Sequence, residues 1–304
     1  MILPAAKFHM DSISERLDRL KLRMSDCDLC PRRCHVDRRS GNVGICGMDS
    51  QIRIASANLH FGEEPPLSGT RGSGTIFLTG CNLKCVYCQN FPISQMRHGR
   101  TITPDELVET MLELERRGAH NINFVTPTHY IAAIAEAIVD TRDRGLAAPI
   151  VYNSSGYDAV DVLKEIDGLI DIYLPDMRYS DSDNAQCYSS APDYRTVNRA
   201  AIKEMFRQVG PLQTDSDGVA VRGLIIRHLV LPENASGTEE TLRFIAEEIS
   251  TKCHISLMSQ YFPAHRAETI EPLNRRITSE EYKRATKWMR KYKLENGWCQ
   301  NEEI

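Results

Sequence analysis

The chain has 304 residues, a formal net charge of −4 and 41% apolar residues, the profile of a folded globular protein with a sizeable core. Lys and Arg are scattered apart from short runs such as PRRC and VDRR, so the mild acidity leaves no electrostatic footprint for nucleic acid. The most apolar helical stretch, IAAIAEAIV, is broken by Glu136 and falls far short of the roughly 20 residues a membrane span needs. The first residues lack a charged, apolar, small-residue leader pattern, so a cytoplasmic protein without a membrane partner is expected.

A helix is predicted around Ile13–Leu22, followed by a Cys-, Arg- and Gly-rich segment. Residues 1–72 read as an N-terminal appendage. Within it Cys27, Cys30, Cys34 and Cys46 follow the spacing C-x2-C-x3-C-x11-C. In a reducing compartment, grouped thiols read as metal ligands before disulfides. Four thiolates at short spacings make a closed set for zinc or for an iron–sulfur cluster, with His35 as a replacement ligand. Pro31, Gly41, Gly44 and Gly47 let the backbone turn around a metal. Cys187, Cys253 and Cys299 are isolated and read as small buried apolar residues. RGSG at 71–74 is a tight lead-in to a strand, not a phosphate loop, because no Lys-Ser/Thr follows.

From residue 73 onward, apolar runs at 75–80, 122–126, 149–153, 169–174, 223–230 and 254–259 read as strands buried on both faces. Helical stripes lie between them. Thr103, Pro104 and Glu106 mark one helix start, Ile131 to Val139 carry the next stripe, and Thr278 with Glu281 opens the last helix. Residues 174–194 are polar and read as a long loop leaving the fourth strand. Alternating strands and helices define an α/β fold with a parallel sheet. Six such units form either a partial barrel or a doubly wound sheet, and periodicity leaves both open.

The loop after the first of these strands is CNLKCVYCQN, with thiols at Cys81, Cys85 and Cys88. It leaves a strand at its C-terminal end, where chemistry gathers in parallel barrels. Structural zinc takes four closed ligands, whereas three thiolates on a 4Fe–4S cube leave one iron open to an outside molecule. A three-cysteine zinc knuckle that borrows a fourth ligand is the competing assignment.

This spacing, with Tyr87 before the last cysteine, resembles the signature of radical S-adenosylmethionine (SAM) enzymes. The longer string GTIFLTGCNLKCVYCQN is similar to the branch that activates glycyl radical enzymes, the pyruvate formate-lyase activating enzyme-related proteins. CDLCPRRCHVDRRSGNVGICG, TPTHY, YNSSGY and QYFPAHRA extend the resemblance over nearly the whole chain. It implies a TIM-like partial (β/α)6 barrel over residues 73–304 and a 4Fe–4S cluster on Cys81, Cys85 and Cys88. It also implies SAM as cosubstrate, cleaved to a 5′-deoxyadenosyl radical, and a reductant such as flavodoxin or ferredoxin. The protein substrate would be a glycyl radical enzyme.

The same resemblance places Tyr87 against adenine and Asn153, Ser154 and Ser155 at the ribose hydroxyls, although such residues also make ordinary turns. Asp176 and Arg178 stand where a cation holds the methionyl carboxylate; a surface ion pair is the alternative. Many relatives carry Gly-Gly-Glu where this chain has NFVTPTHY. Thr126 or Thr128 is expected to stand in for the carboxylate, with His129 beside them, and Thr128 alternatively caps a helix. His228 and His265 are weaker candidates for the barrel mouth. Two other functions remain open at this level. One is a radical SAM enzyme acting on a small molecule or peptide. The other is an iron–sulfur electron carrier, disfavoured because carriers close their clusters with four protein ligands.

Overall fold

The computed structural model describes residues 12–300. Helix α1 (Ile13–Leu22) begins at a capping box in which the Ser12 hydroxyl accepts from Glu15 N–H and the Glu15 side chain returns to Ser12. In chain order the strands are β1 (Arg53–His60), β2 (Ser73–Leu78), β3 (Arg100–Thr101), β4 (Ile122–Val125), β5 (Ile150–Asn153), β6 (Ile172–Tyr173), β7 (Gln213–Thr214), β8 (Ala220–Leu229), β9 (His254–Met258) and β10 (Gly297–Cys299). The remaining α-helices are α2 (Pro65–Ser68), α3 (Phe91–Ser94), α4 (Pro104–Arg116), α5 (Ile131–Asp143), α6 (Val160–Glu165), α7 (Ser182–Ser189), α8 (Tyr194–Val209), α9 (Thr238–Phe244) and α10 (Ser279–Lys291).

The strands form one sheet in the order β10-β9-β8-β6-β5-β4-β2-β1-β3, with β7 paired to β8. Neighbours from β2 through β10 run parallel. The six expected strands are therefore all present, as β2, β4, β5, β6, β8 and β9, in the arrangement of a TIM-like partial barrel. The capping boxes at Thr103 and Thr278 also form as expected.

Alternation along the strands separates two cores. Tyr152, Tyr173 and Ile226 join the large core that the helices cover. Val151, Ile172 and Ile225 face inward and form a second cluster with Leu67 of α2, with Trp298 of β10 packed against it. Helix α2 thus fills the inside of the curved sheet, held there as Asn121 Nδ2 donates to Leu67 O at 2.9 Å.

The structure differs from the sequence expectations in three places. Residues 53–60, within the segment read as an appendage, pair antiparallel with β2, so the sheet runs across the boundary at residue 72. Their side chains are mostly exposed or half-buried, so they lack an apolar run. Residues 174–194 are not one loop: Asp181 accepts from Asn184 N–H and starts α7, which buries Ala185, Tyr188 and Ser189. Of the isolated cysteines only Cys253 is buried; Cys187 and Cys299 are exposed.

Candidate functional site

The three-cysteine loop leaves the C-terminal end of β2 through Gly80, whose φ is +80°. A Cβ there would lie 2.4 Å from Met48 Cγ and 3.0 Å from Cys46 O, so only glycine fits. Helix α7 then grips the loop with its last carbonyls: Lys84 N–H donates to Ser189 O and Val86 N–H to Tyr188 O. Each thiol has a hydroxyl, amide or guanidinium within reach. Leu83 N–H donates to Cys81 Sγ at 3.4 Å, Ser189 Oγ to Cys85 Sγ at 3.0 Å, and Arg178 Nη1 to Cys85 Sγ at 3.5 Å. Ser94 Oγ lies 3.2 Å from Cys88 Sγ.

As free thiols two of them resist ionisation: burial, reinforced by Cys85, pushes Cys81 up to about 12 and raises Cys88. Thiolate-directed donors around buried thiols fit a metal group that removes their protons on binding. Three thiols on one loop are the soft donor set that iron–sulfur clusters take.

The three cysteines open on a cavity of about 650 Å³ that is also lined by Thr126, Asn153, Ser154, Ser155, Asp176 and Arg178. Tyr87 lines a contiguous smaller space beside Cys88 and Asp176. It is packed edge-on against Tyr179 and Tyr261, with its hydroxyl 2.7 Å from that of Tyr179. Thr126 is the last residue before the turn out of β4 and holds φ at +63°. That left-handed conformation is strained for a β-branched residue, and such strain clusters at functional sites.

A chain of charges crosses the cavity wall. Asp176 accepts from Arg178 Nη2 and, at 2.8 Å, from Arg227 Nε. Arg227 Nη2 also donates to Asn153 Oδ1 at 2.7 Å, and its Nη1 faces Glu63 Oε2 at 3.9 Å. The side chains of Asp176 and Arg178 are 11% and 24% exposed, so this is no surface pair. Burial raises the Glu63 carboxyl above its ordinary range although Arg227 opposes the shift. Two polar groups in the site have no partner among the described residues, Ser155 Oγ and Arg178 Nε.

Other sequence candidates lie elsewhere. The buried Thr128 hydroxyl donates to Asp158 Oδ1 at 2.7 Å instead of lining the cavity, and α5 starts at Ile131 without a side-chain cap. His129 is buried with Nε2 2.7 Å from Thr79 O. His228 sits between Met177 O and Thr238 Oγ1 inside the core, and His265 stacks on Phe91. Sequence reasoning missed Glu63, Glu64, Arg227, Trp298 and Gln300, which complete the cavity wall. Each is a single residue without motif spacing, brought in from the chain before β2, from β8 or from the C-terminal end.

The N-terminal quartet is also drawn together. Cys27 N–H donates to Val36 O and His35 N–H to Cys27 O, both at 3.0 Å, while Arg33 N–H closes a turn onto Cys30 O. Ile45 N–H donates to Cys34 Sγ at 3.3 Å, which carries Cys46 to the same place. Among the described residues no helix is long and apolar enough to cross a membrane.

A family model described as Radical SAM superfamily matches residues 75–245. Uncharacterized protein MJ0674 of Methanocaldococcus jannaschii is 30% identical over 283 residues, covering 89% of this chain and 76% of that protein. A radical SAM methyltransferase from Sphaerobacter thermophilus shares the fold with a TM-score of 0.52 at 15% identity, covering 99% of this chain and 97% of the other. SuiB of Streptococcus suis, in its complex with precursor peptide SuiA, gives 0.50 at 11% identity over 73% of this chain. The match spans 46% of the SuiB chain, about half its length.

Proposed function

The chain belongs to the radical SAM superfamily, and from that premise we propose that Cys81, Cys85 and Cys88 hold the 4Fe–4S cluster at which SAM is reductively cleaved. The chemistry the bound pair supplies is one-electron cleavage of the sulfonium to methionine and a 5′-deoxyadenosyl radical, which abstracts a hydrogen atom from substrate. The observation that carries this assignment is that the three cysteines, Ser155 and Arg178 line one cavity, and that Ser155 Oγ and Arg178 Nε have no hydrogen-bond partner among the described residues.

The protein's part is to bind, orient and exclude water. Arg178, aligned by Asp176, presents an N–H to the methionyl carboxylate. Ser155 and Asn153 receive the ribose hydroxyls, and Tyr87 walls the adenine side. Ser154 shapes the backbone beneath them. Its hydroxyl donates to Asp158 Oδ2 at 2.6 Å and accepts from Gly156 N–H, which fixes the turn after β5. Thr126 offers a hydroxyl and a strained backbone carbonyl where relatives carry the carboxylate of Gly-Gly-Glu.

The substrate takes the part of the cavity floored by Glu63, Glu64 and Arg227, which favours a polar group. Motif similarity supports one specific substrate, an exposed segment of a glycyl radical enzyme; a peptide or small polar molecule is the other class. A flavodoxin or ferredoxin supplies the electron.

The test is anaerobic reconstitution, reduction and addition of SAM, with 5′-deoxyadenosine measured chromatographically. Replacing Cys81, Cys85 and Cys88 by Ala should abolish product and the cluster's absorbance. A loaded, reduced sample that never cleaves SAM would refute the assignment. Co-incubation with a glycyl radical partner should add that partner's radical signal, and a missing signal moves the substrate to the small-molecule or peptide class.

A further inference from the structure

We propose that Cys27, Cys30, Cys34 and Cys46 hold a second iron–sulfur cluster and that it passes single electrons to the cluster on Cys81, Cys85 and Cys88. The transfer half rests on the SAM-cleavage assignment above; the metal half does not.

The four thiols face one another. The field acting on Cys30 includes those of Cys46, Cys27 and Cys34. Arg33 and His35 turn the chain with φ of +39° and +53°, left-handed values that bring successive cysteines to one side. Gly44 makes room for a sulfur, since a Cβ on it would meet Cys34 Sγ at 3.0 Å. The quartet and the Cys81 loop each have a backbone N–H directed at a thiol sulfur, Ile45 on Cys34 and Leu83 on Cys81.

An independent observation calls for negative charge here. Arg38 is 1% exposed, and its guanidinium donates to Asp49 O and His129 O, with Nη1 4.0 Å from Cys27 Sγ. Among the described residues no carboxylate pairs with it. A buried cation is costly without a counter-charge. A cluster held by four thiolates carries that charge and places it beside Arg38.

The position suits electron transfer. The carbonyl of Cys46 lies 3.0 Å from the Cβ position of Gly80, the residue before Cys81. Arg32, between Cys30 and Cys34, donates from Nε to Asn82 O at 2.7 Å, one residue beyond Cys81. Each transfer oxidises the quartet cluster by one electron and reduces the other by one, with no bond or proton moved. A low-potential one-electron carrier, or dithionite in the test tube, restores the quartet cluster.

Two measurements decide the matter. The Cys81→Ala/Cys85→Ala/Cys88→Ala variant, prepared anaerobically, should carry iron and inorganic sulfide in equal amounts, about two to four atoms of each per chain. One zinc without sulfide, or no metal in a chain with native circular dichroism, overturns the site. Should that variant not fold, the same count on the wild type must exceed about four irons per chain, and four or fewer overturns it. For the transfer, fully reduced wild type freed of reductant is mixed with excess SAM. Two 5′-deoxyadenosines per chain are expected, one from each stored electron. One per chain overturns the transfer; none from a loaded chain overturns the SAM-cleavage assignment instead.

Discussion

Trp298 donates its indole N–H to the Glu64 carboxylate over 2.7 Å, tying the last strand of the sheet to the segment that follows the first. Because β10 is one edge of the sheet and β1 lies next to the other, this bond bridges the open side of the partial barrel. Trp298→Phe keeps most of the ring packing against the inner core and removes the donor. We expect a loss of about 1.5 kcal/mol, read as a lower urea midpoint, together with faster hydrogen exchange in β10.

Arg227 holds Asp176 and Asn153 with separate nitrogens and is the nearest cation to Glu63. Removing it leaves buried acceptors facing one another. Arg227→Met should destabilise the protein by about 3 kcal/mol in chemical denaturation, and Arg227→Lys should recover only part of this, because a single ammonium cannot replace the fork.

Arg178→Gln should weaken SAM binding by roughly tenfold to a hundredfold, the effect of about 1.5–3 kcal/mol for one charge-assisted hydrogen bond. Calorimetry on the cluster-loaded protein measures this. Iron content should persist, since Ser189 still donates to Cys85.

Two buried histidines make stability fall in mild acid. Burial, helped by Arg38, lowers His129 to about 3, and burial lowers His228 to about 4. In the unfolded chain both titrate near 6.5, so between about pH 6.5 and those values the unfolded state binds more protons. Stability is therefore complete above pH 6.5 and is lost as pH falls through the window down to 4 and then 3. By pH 5 each histidine should cost about 2 kcal/mol. Urea midpoints at pH 7.5 and 5 test the sum, and His228→Asn should remove about half of the difference.

Gly156 follows Ser154 and Ser155 at φ +69°, and a Cβ there would lie 2.2 Å from both Asp176 O and Asn198 Nδ2. Gly156→Ala should push the ends of β5 and β6 apart. We expect a lower thermal midpoint and a larger Kd for SAM in the same variant, whereas Gly145→Ala, with nothing within 4 Å, changes only the midpoint.

The parallel strands were legible in the sequence because runs such as Ile150–Asn153 are buried on both faces and so are mostly apolar. Cys81, Cys85 and Cys88 were legible because one loop carries all three ligands, and spacing survives any fold. Strand β1 was not, since an exposed, antiparallel neighbour of β2 needs no apolar run. Nor was α7, whose polar residues hide a buried face of Ala185, Tyr188 and Ser189. Glu63, Arg227 and Trp298 meet only through tertiary packing across more than two hundred residues of chain, which no local pattern encodes.

Leu67 and Trp298 share the inner core, one from a helix laid down before the parallel strands and one from the strand that follows them. During synthesis the cavity therefore has a floor early and its last wall late. Until residue 298 has emerged, the Cys81 loop lies beside an open flank. A chain stopped short of β10 would display its iron to dissolved oxygen, so clusters in such fragments should bleach faster in air than those of the full-length protein.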